Sequence, residues 1–171
     1  MNQYIRSILP ETFDDSMKIR MVDPMEIFAA KGNALITRAA ARDLYDWCNM
    51  LSEGLFEEQR DLFRKCFLFY MTISADTLNK SFDISAIDTL DFNKIRRDLF
   101  PVLNKKDNFQ LDERKKIAKN YISDLMVLTT KEKEYLDRFE EKKYMPELLF
   151  EDAEIVERVK NHPMALWKCK E

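Results

Sequence analysis

Leu111-Asp112-Glu113-Arg114-Lys115-Lys116-Ile117-Ala118-Lys119-Asn120-Tyr121-Ile122-Ser123-Asp124-Leu125-Met126-Val127-Leu128 is the stretch that decides the fold class. Ala118, Tyr121, Ile122 and Leu125 recur at the spacing of one helical face, the pattern of an amphipathic helix. The same pattern continues on both sides. Downstream, Thr129 followed by Glu132 spells a capping box for a helix reaching about Lys143, which Pro146 breaks. Asp152 to Asn161 reads as the last helix, and Pro163 to Lys168 as a docked tail carrying Trp167. Upstream, Asp88 to Leu99 reads as a helix that Pro101 ends. Phe56 to Ala75 is another, apolar on nearly every side from Leu62 to Ile73, and is expected at the centre of a bundle. Ala39 to Leu51 is a helix stopped near Gly54. Asp23-Pro24 opens the first helix, Asp as N-cap and Pro at the first helical position, running to about Ile36 with Ile27, Phe28, Ala34 and Leu35 on one face.

Composition agrees. Among 171 residues there are only 2 glycines and 5 prolines, too few breaks for a strand-and-turn protein. Hydrophobic residues make up 46%, which excludes a disordered chain. A net charge of −3 from 28 basic and 31 acidic side chains is neither a nucleic-acid binder's basic excess nor an acidic tail. Cys48, Cys66 and Cys169 show no ligand spacing and the chain has one histidine, so no metal site is expected and a reducing compartment is. The opening Met1-Asn2-Gln3-Tyr4-Ile5-Arg6 has no leader character, and the apolar run Cys66 to Ile73 is too short to span a bilayer. The expectation is a cytoplasmic chain with no membrane partner.

One element does not fit a purely helical reading. Met17-Lys18-Ile19-Arg20-Met21-Val22 alternates like a single strand, with Met17, Ile19 and Met21 on one face. A lone strand implies a missing sheet or pairing with another chain. The fold expected is therefore mainly α: six or seven helices preceded by one short orphan β-strand, with residues 1–23 set apart from a helical domain at 24–171.

Candidate chemistry gathers between Pro24 and Asn49. Lys31 shares a helical face with Ile27 and Leu35, and must either snorkel to water or meet an anion. In the next helix Leu44, Trp47 and Leu51 form an apolar stripe, while Arg42, Asp43, Asp46 and Asn49 form a polar one. The plain reading is an Arg42–Asp46 pair at i, i+4, worth a few tenths of a kcal/mol. The sharper one is a lysine and an aspartate facing a phosphate-bearing ligand from adjacent helices. His162 reads as a helix-terminal side chain at the C-terminal dipole. Arg96-Arg97, Lys105-Lys106 and Arg114-Lys115-Lys116 read as solvated helix faces able to touch RNA phosphates.

Met25-Glu26-Ile27-Phe28-Ala29-Ala30-Lys31, Ala34-Leu35, Arg38 and Ala41-Arg42-Asp43-Leu44-Tyr45-Asp46, with the tail Asn161-His162-Pro163-Met164-Ala165-Leu166-Trp167-Lys168, resemble the bacterial abortive-infection toxin nucleotidyltransferases of the AbiEii/AbiGii type. The resemblance runs from about residue 17 to the C-terminus. It implies a mixed-sheet nucleotidyltransferase core ahead of a helical half, the core carrying a Gly-Ser turn and an Asp-x-Asp that holds metal ions. On that footing Lys31 and either Asp43 or Asp46 complete the catalytic site, and Lys31, Arg38 and Arg42 bind substrate. Mg2+ and a nucleoside triphosphate are the implied cofactors, with none bound by this chain alone. The implied partners are the core (in cis or as a separate chain), an antitoxin and an RNA acceptor, while the orphan strand and its apolar edge favour pairing with that core or with a second copy of the chain.

The sequence departs from that pattern in one respect. It has no Gly-Gly or Gly-Ser dipeptide, and its one Asp-x-Glu, Asp152 to Glu154, lies in a late helix without a phosphate-binding turn before it. The function expected is the helical C-terminal portion of a toxin-type nucleotidyltransferase, inactive on its own. The alternative is a non-catalytic helical interaction protein, a degenerate relative binding a partner chain or RNA.

Overall fold

The computed structural model describes residues 21–74, 78, 80–103 and 109–170. They form eight α-helices: α1 (Pro24–Arg38), α2 (Ala41–Ser52), α3 (Arg60–Ser74), α4 (Phe92–Asp98), α5 (Leu111–Leu125), α6 (Thr130–Glu140), α7 (Ala153–Val159) and α8 (Pro163–Lys170). Short 3-10 turns occupy Ser85–Thr89, Phe100–Val102 and Pro146–Leu148. The mainly helical fold read from the sequence is thus observed. There is one helix more than expected, because the C-terminal tail is itself helical.

No strand occurs among the described residues. Of the strand expected over Met17 to Val22, residues 17–20 lie outside the described residues. Met21 and Val22 belong to no regular element and are exposed. Lys105 and Lys106 also lie outside the described residues.

The chain starts and stops its helices by the means the sequence advertised. Asp23 accepts the Met25 N–H at 2.8 Å to cap α1, with Pro24 in its first turn. The Thr129 side chain accepts the Glu132 N–H, and the Glu132 carboxylate accepts the Thr129 N–H at 2.7 Å, a complete capping box for α6. Asp91 and Asp152 cap α4 and α7.

Several ends fall two or three residues short of those expected, and two helix starts differ by four residues. The third helix begins at Arg60 rather than Phe56, because Gly54 and Phe56 both take left-handed φ values, 64° and 67°, and make a turn there. A non-glycine residue pays for that conformation, and here stacking of Phe56 on Phe63, centroids 5.2 Å apart, offsets the strain. Asp88 closes a 3-10 turn instead of opening α4, whose cap is Asp91.

The core has two clusters sharing α3. One gathers α1, α2, α4 and α5 around Trp47, Phe63 and Phe67. The other packs α6, α7 and α8 on the opposite side of α3, against Leu68, Phe69 and Met71. The central position expected for the all-round apolar helix is what the structure has. Ala118, Ile122 and Leu125 of α5 are buried as read, with Tyr121 half-buried. On α1 the buried face is rotated from the expected one: Met25, Ala29, Gly32, Asn33, Leu35 and Ile36 go inward, and Ile27 is 38% exposed.

Candidate functional site

The corner between α1 and α2 brings most of the expected site residues together. Two residues make the corner: Ala39, in a left-handed conformation (φ 46°, ψ 59°), donates its N–H to Leu35 C=O, and Ala40 is extended. This folds α2 back alongside α1. Arg38, in the last turn of α1, and Asp43, in the first turn of α2, each complement their own helix dipole. They also meet in a fork: Arg38 Nε donates to Asp43 Oδ2 at 2.9 Å and Nη2 to Oδ1 at 3.2 Å. Asp43 is buried and Arg38 is open to water. The hydrogen bond to Asp43, and then its charge, hold the guanidinium above its ordinary pKa.

Further from the corner, Lys31 Nζ donates to Asp46 Oδ2 at 2.5 Å, so α1 and α2 are bridged directly. About a third of each side chain is exposed, 33% and 36%. Lys31 therefore neither snorkels freely nor lies buried; it is held at the surface by a carboxylate. Arg42 does not pair with Asp46. Its Nε donates to the Asp98 carbonyl at 3.1 Å, fastening the end of α4 to α2. The i, i+4 pair expected from the sequence is replaced because Lys31 takes the carboxylate across the helix pair.

The chain from residue 2 to residue 141 matches the sequence model of the family described as nucleotidyl transferase AbiEii toxin, type IV TA system. The chain belongs to this family. The AbiEii match covers the α1–α2 corner and everything through α6, so it starts earlier than the resemblance read from the motifs. It ends before α7 and α8, leaving the Asn161 to Lys168 tail outside it. Neither a curated protein nor a solved structure matches the chain. No described helix is long and apolar enough to cross a membrane.

The described residues at this corner offer no ready ligand set for a magnesium ion. Among the described residues no three of His, Cys, Asp and Glu come together as a ligand set. Asp43 and Asp46 are each engaged by a cation, and no third carboxylate joins them in hydrogen bonding at the corner. What the corner offers is electrostatic: a partly exposed lysine whose contact with Asp46 is one that an anion reaching this surface would compete for.

A second feature was not legible from any motif. A cleft of about 440 Å³ runs between the start of α1, the middle of α3 and α7. Glu26 is its polar centre: Tyr70 Oη donates to Glu26 Oε2 at 3.0 Å and Arg158 Nη2 bonds Oε1. Burial pushes the Cys66 thiol up to about 12, and raises Tyr70 with help from the bond to Glu26. His162, read as a dipole-facing side chain, instead packs edge-on against Phe69 at 5.2 Å, and burial lowers its pKa. Glu26 and Arg158 are 132 residues apart in sequence, so no local spacing could have announced them.

Proposed function

We propose that the chain contributes the helical side of a nucleotidyl transfer site, moving a nucleotide from a nucleoside triphosphate to an RNA acceptor. The Lys31–Asp46 pair carries the reading: it bridges the segment matched to the family, is partly open to solvent, and can exchange one partner for an anion. In this reading Lys31 leaves Asp46 when a triphosphate arrives and neutralises part of its charge. The freed Asp46 carboxylate then faces the attacking hydroxyl as a proton acceptor. Arg38 and Asp43 serve as the rivet that fixes the corner, and Arg42 as the tie to α4, rather than as direct substrate contacts. The donor set here does not suit Mg2+, so metal chemistry falls to the Asp-x-Asp of a core supplied in cis or by a separate chain. The setting proposed is the bacterial cytoplasm, in abortive infection, under the control of an antitoxin.

It follows that the 171-residue sequence, with no Gly-Ser turn and no Asp-x-Asp, transfers no nucleotide by itself. The test is incorporation of labelled nucleotide into RNA by the purified chain, with magnesium and all four triphosphates, with and without a nucleotidyltransferase core from the same locus. Activity only with the core, and lost in Lys31→Ala, is the expected result. Strong incorporation by the chain alone that disappears in Lys31→Ala would overturn the incompleteness. Full activity of Lys31→Ala and Asp46→Ala with the core present would overturn the site.

One observation favours the second reading, a helical interaction protein. Met21, Val22 and Ile27 are 62%, 56% and 38% exposed at the entrance to α1. Such a run suits pairing with another chain or a second copy, and sedimentation with and without the core distinguishes the two.

A further inference from the structure

Gly32 and Trp47 each follow a member of the Lys31–Asp46 pair, one on α1 and one on α2. A glycine inside a helix costs about 1 kcal/mol relative to alanine, so its place calls for a packing reason. The structure supplies one. A Cβ at position 32 would lie 2.3 Å from Trp47 Cζ3, 2.5 Å from Cη2 and 2.7 Å from Phe67 Cε2. These are rigid ring atoms, not the ends of flexible chains. The Trp47 ring has no exposed surface and is held by Phe63, Phe67 and Tyr121 at centroid distances of 5.7, 6.0 and 6.1 Å. A side chain at position 32 therefore displaces the ring, and with it α2, away from α1.

We propose that Gly32 and Trp47 are the spacer that sets the Lys31–Asp46 separation, and so are positioning residues for the nucleotidyl transfer site proposed above, on which this inference rests. With the lysine stem in its present rotamer the pair has little slack. From 2.5 Å, an outward shift of α2 by about 1 Å takes the contact to the edge of hydrogen-bond range. The indole ring lies flush against the bare backbone of α1 and fixes the distance at which the lysine is held, and hence how readily it is released to an anion. The Arg38–Asp43 fork secures one end of the helix pair and this ring-on-glycine contact secures the middle.

The test reads pairing directly, without catalysis. The 171-residue chain is treated with limiting acetic anhydride, and acetylation of Lys31 is measured by mass spectrometry relative to exposed Lys133. Asp46→Ala gives the value for an unpaired lysine, roughly two- to five-fold above the native chain. Gly32→Ala is expected to reach the same value. Gly32→Ala/Trp47→Phe, in which the smaller ring makes room for the methyl, is expected to return to the native value, although the shrunken core lowers its stability. A merely structural glycine would change stability without this rise and return. Native reactivity in folded Gly32→Ala, or unpaired reactivity in a folded double variant, would overturn the inference. Should Gly32→Ala fail to fold by circular dichroism, Trp47→Leu, which removes the spacer ring, is measured in its place: a shifted Lys31 reactivity is expected, and the native value in the folded variant would overturn the inference. Because acetylation does not depend on nucleotide transfer, a negative transfer assay leaves this result standing, and the two readings can fail separately.

Discussion

The two sides of α3 handle charge in opposite ways. On the Trp47 side the ion pairs sit at the rim: Lys31–Asp46 is about one-third exposed, and the Arg38 end of the Arg38–Asp43 fork is 67% exposed. On the α6 side Lys80 pairs with Asp137 and Glu140 at the surface, but the groups that join α6 to α3 go into the core. Glu132 is 1% exposed, accepts Arg64 Nε at 2.9 Å and closes the α6 capping box, while Thr72 Oγ1 and Tyr135 Oη hydrogen bond at 3.0 Å nearby. A buried pair is costly to break, because the partner left behind cannot recover its water. The Lys31–Asp46 pair is cheap to break, because water replaces either partner, whereas loss of Arg38 would leave the buried Asp43 short of one. The first kind fixes a structure, and the second leaves a cation available for exchange.

That contrast sets an order of expected effects. Trp47→Ala should have the largest, about 3–5 kcal/mol, by opening a cavity where four aromatic rings meet. A shift in urea midpoint measures it, and a loss under about 1 kcal/mol would show that the first cluster collapses to fill the gap. Glu132→Ala should cost about 2 kcal/mol, since it removes half of the capping box and one of the two carboxylates on Arg64, which keeps Asp61. Glu132→Gln should cost less, because an amide oxygen still accepts the Thr129 N–H. Equal losses in the two variants would mean that charge, not capping, dominates. Asp46→Ala should cost less than about 1 kcal/mol in the same assay. A larger value would place Lys31–Asp46 with the structural pairs and weaken its claim to be exchangeable.

The smallest effect is one of pH. His162 has its pKa lowered from 6.5 by burial, so the unfolded chain binds its proton first as pH falls. Stability from this group is intact above 6.5 and declines below it. Thermal melts between about pH 7.5 and 5.5 should show a steeper decline for the native chain than for His162→Gln, with equal slopes showing that the imidazole is not desolvated by the fold.

The fold was legible because its signals are local. Thr129 with Glu132, Asp23 with Pro24, and the apolar wrap of α3 each act within one or two turns, and each appears where the sequence put it. The turn at Phe56 was not legible, since phenylalanine rarely takes a left-handed backbone and its ring stacks on Phe63 in the next helix, a contact no spacing announces. The pairing of the candidate residues was half legible. Lys31 and Asp46 were marked as candidates, yet so was Asp43, and nothing in the spacing said that Arg38 would take Asp43 and leave Asp46 to Lys31. That choice depends on how closely two helices approach, a distance fixed by a glycine meeting an indole. Arg42 illustrates the same limit: its partner is a backbone carbonyl 56 residues away.

The sharing of α3 has a consequence for how the molecule comes apart. Leu62, Cys66 and Tyr70 of this helix pack against both clusters at once, so neither half can open without exposing part of the other. Two halves joined by a linker would melt in two steps and exchange their amide hydrogens on two schedules. Here the amides in the middle of α3 should exchange only when the whole chain unfolds, slowest of all and at a rate common to both sides. The helix is then a shared wall rather than a hinge, and damage on the α6 side, far from Lys31, reaches the corner as a loss of cooperativity rather than as a change of shape.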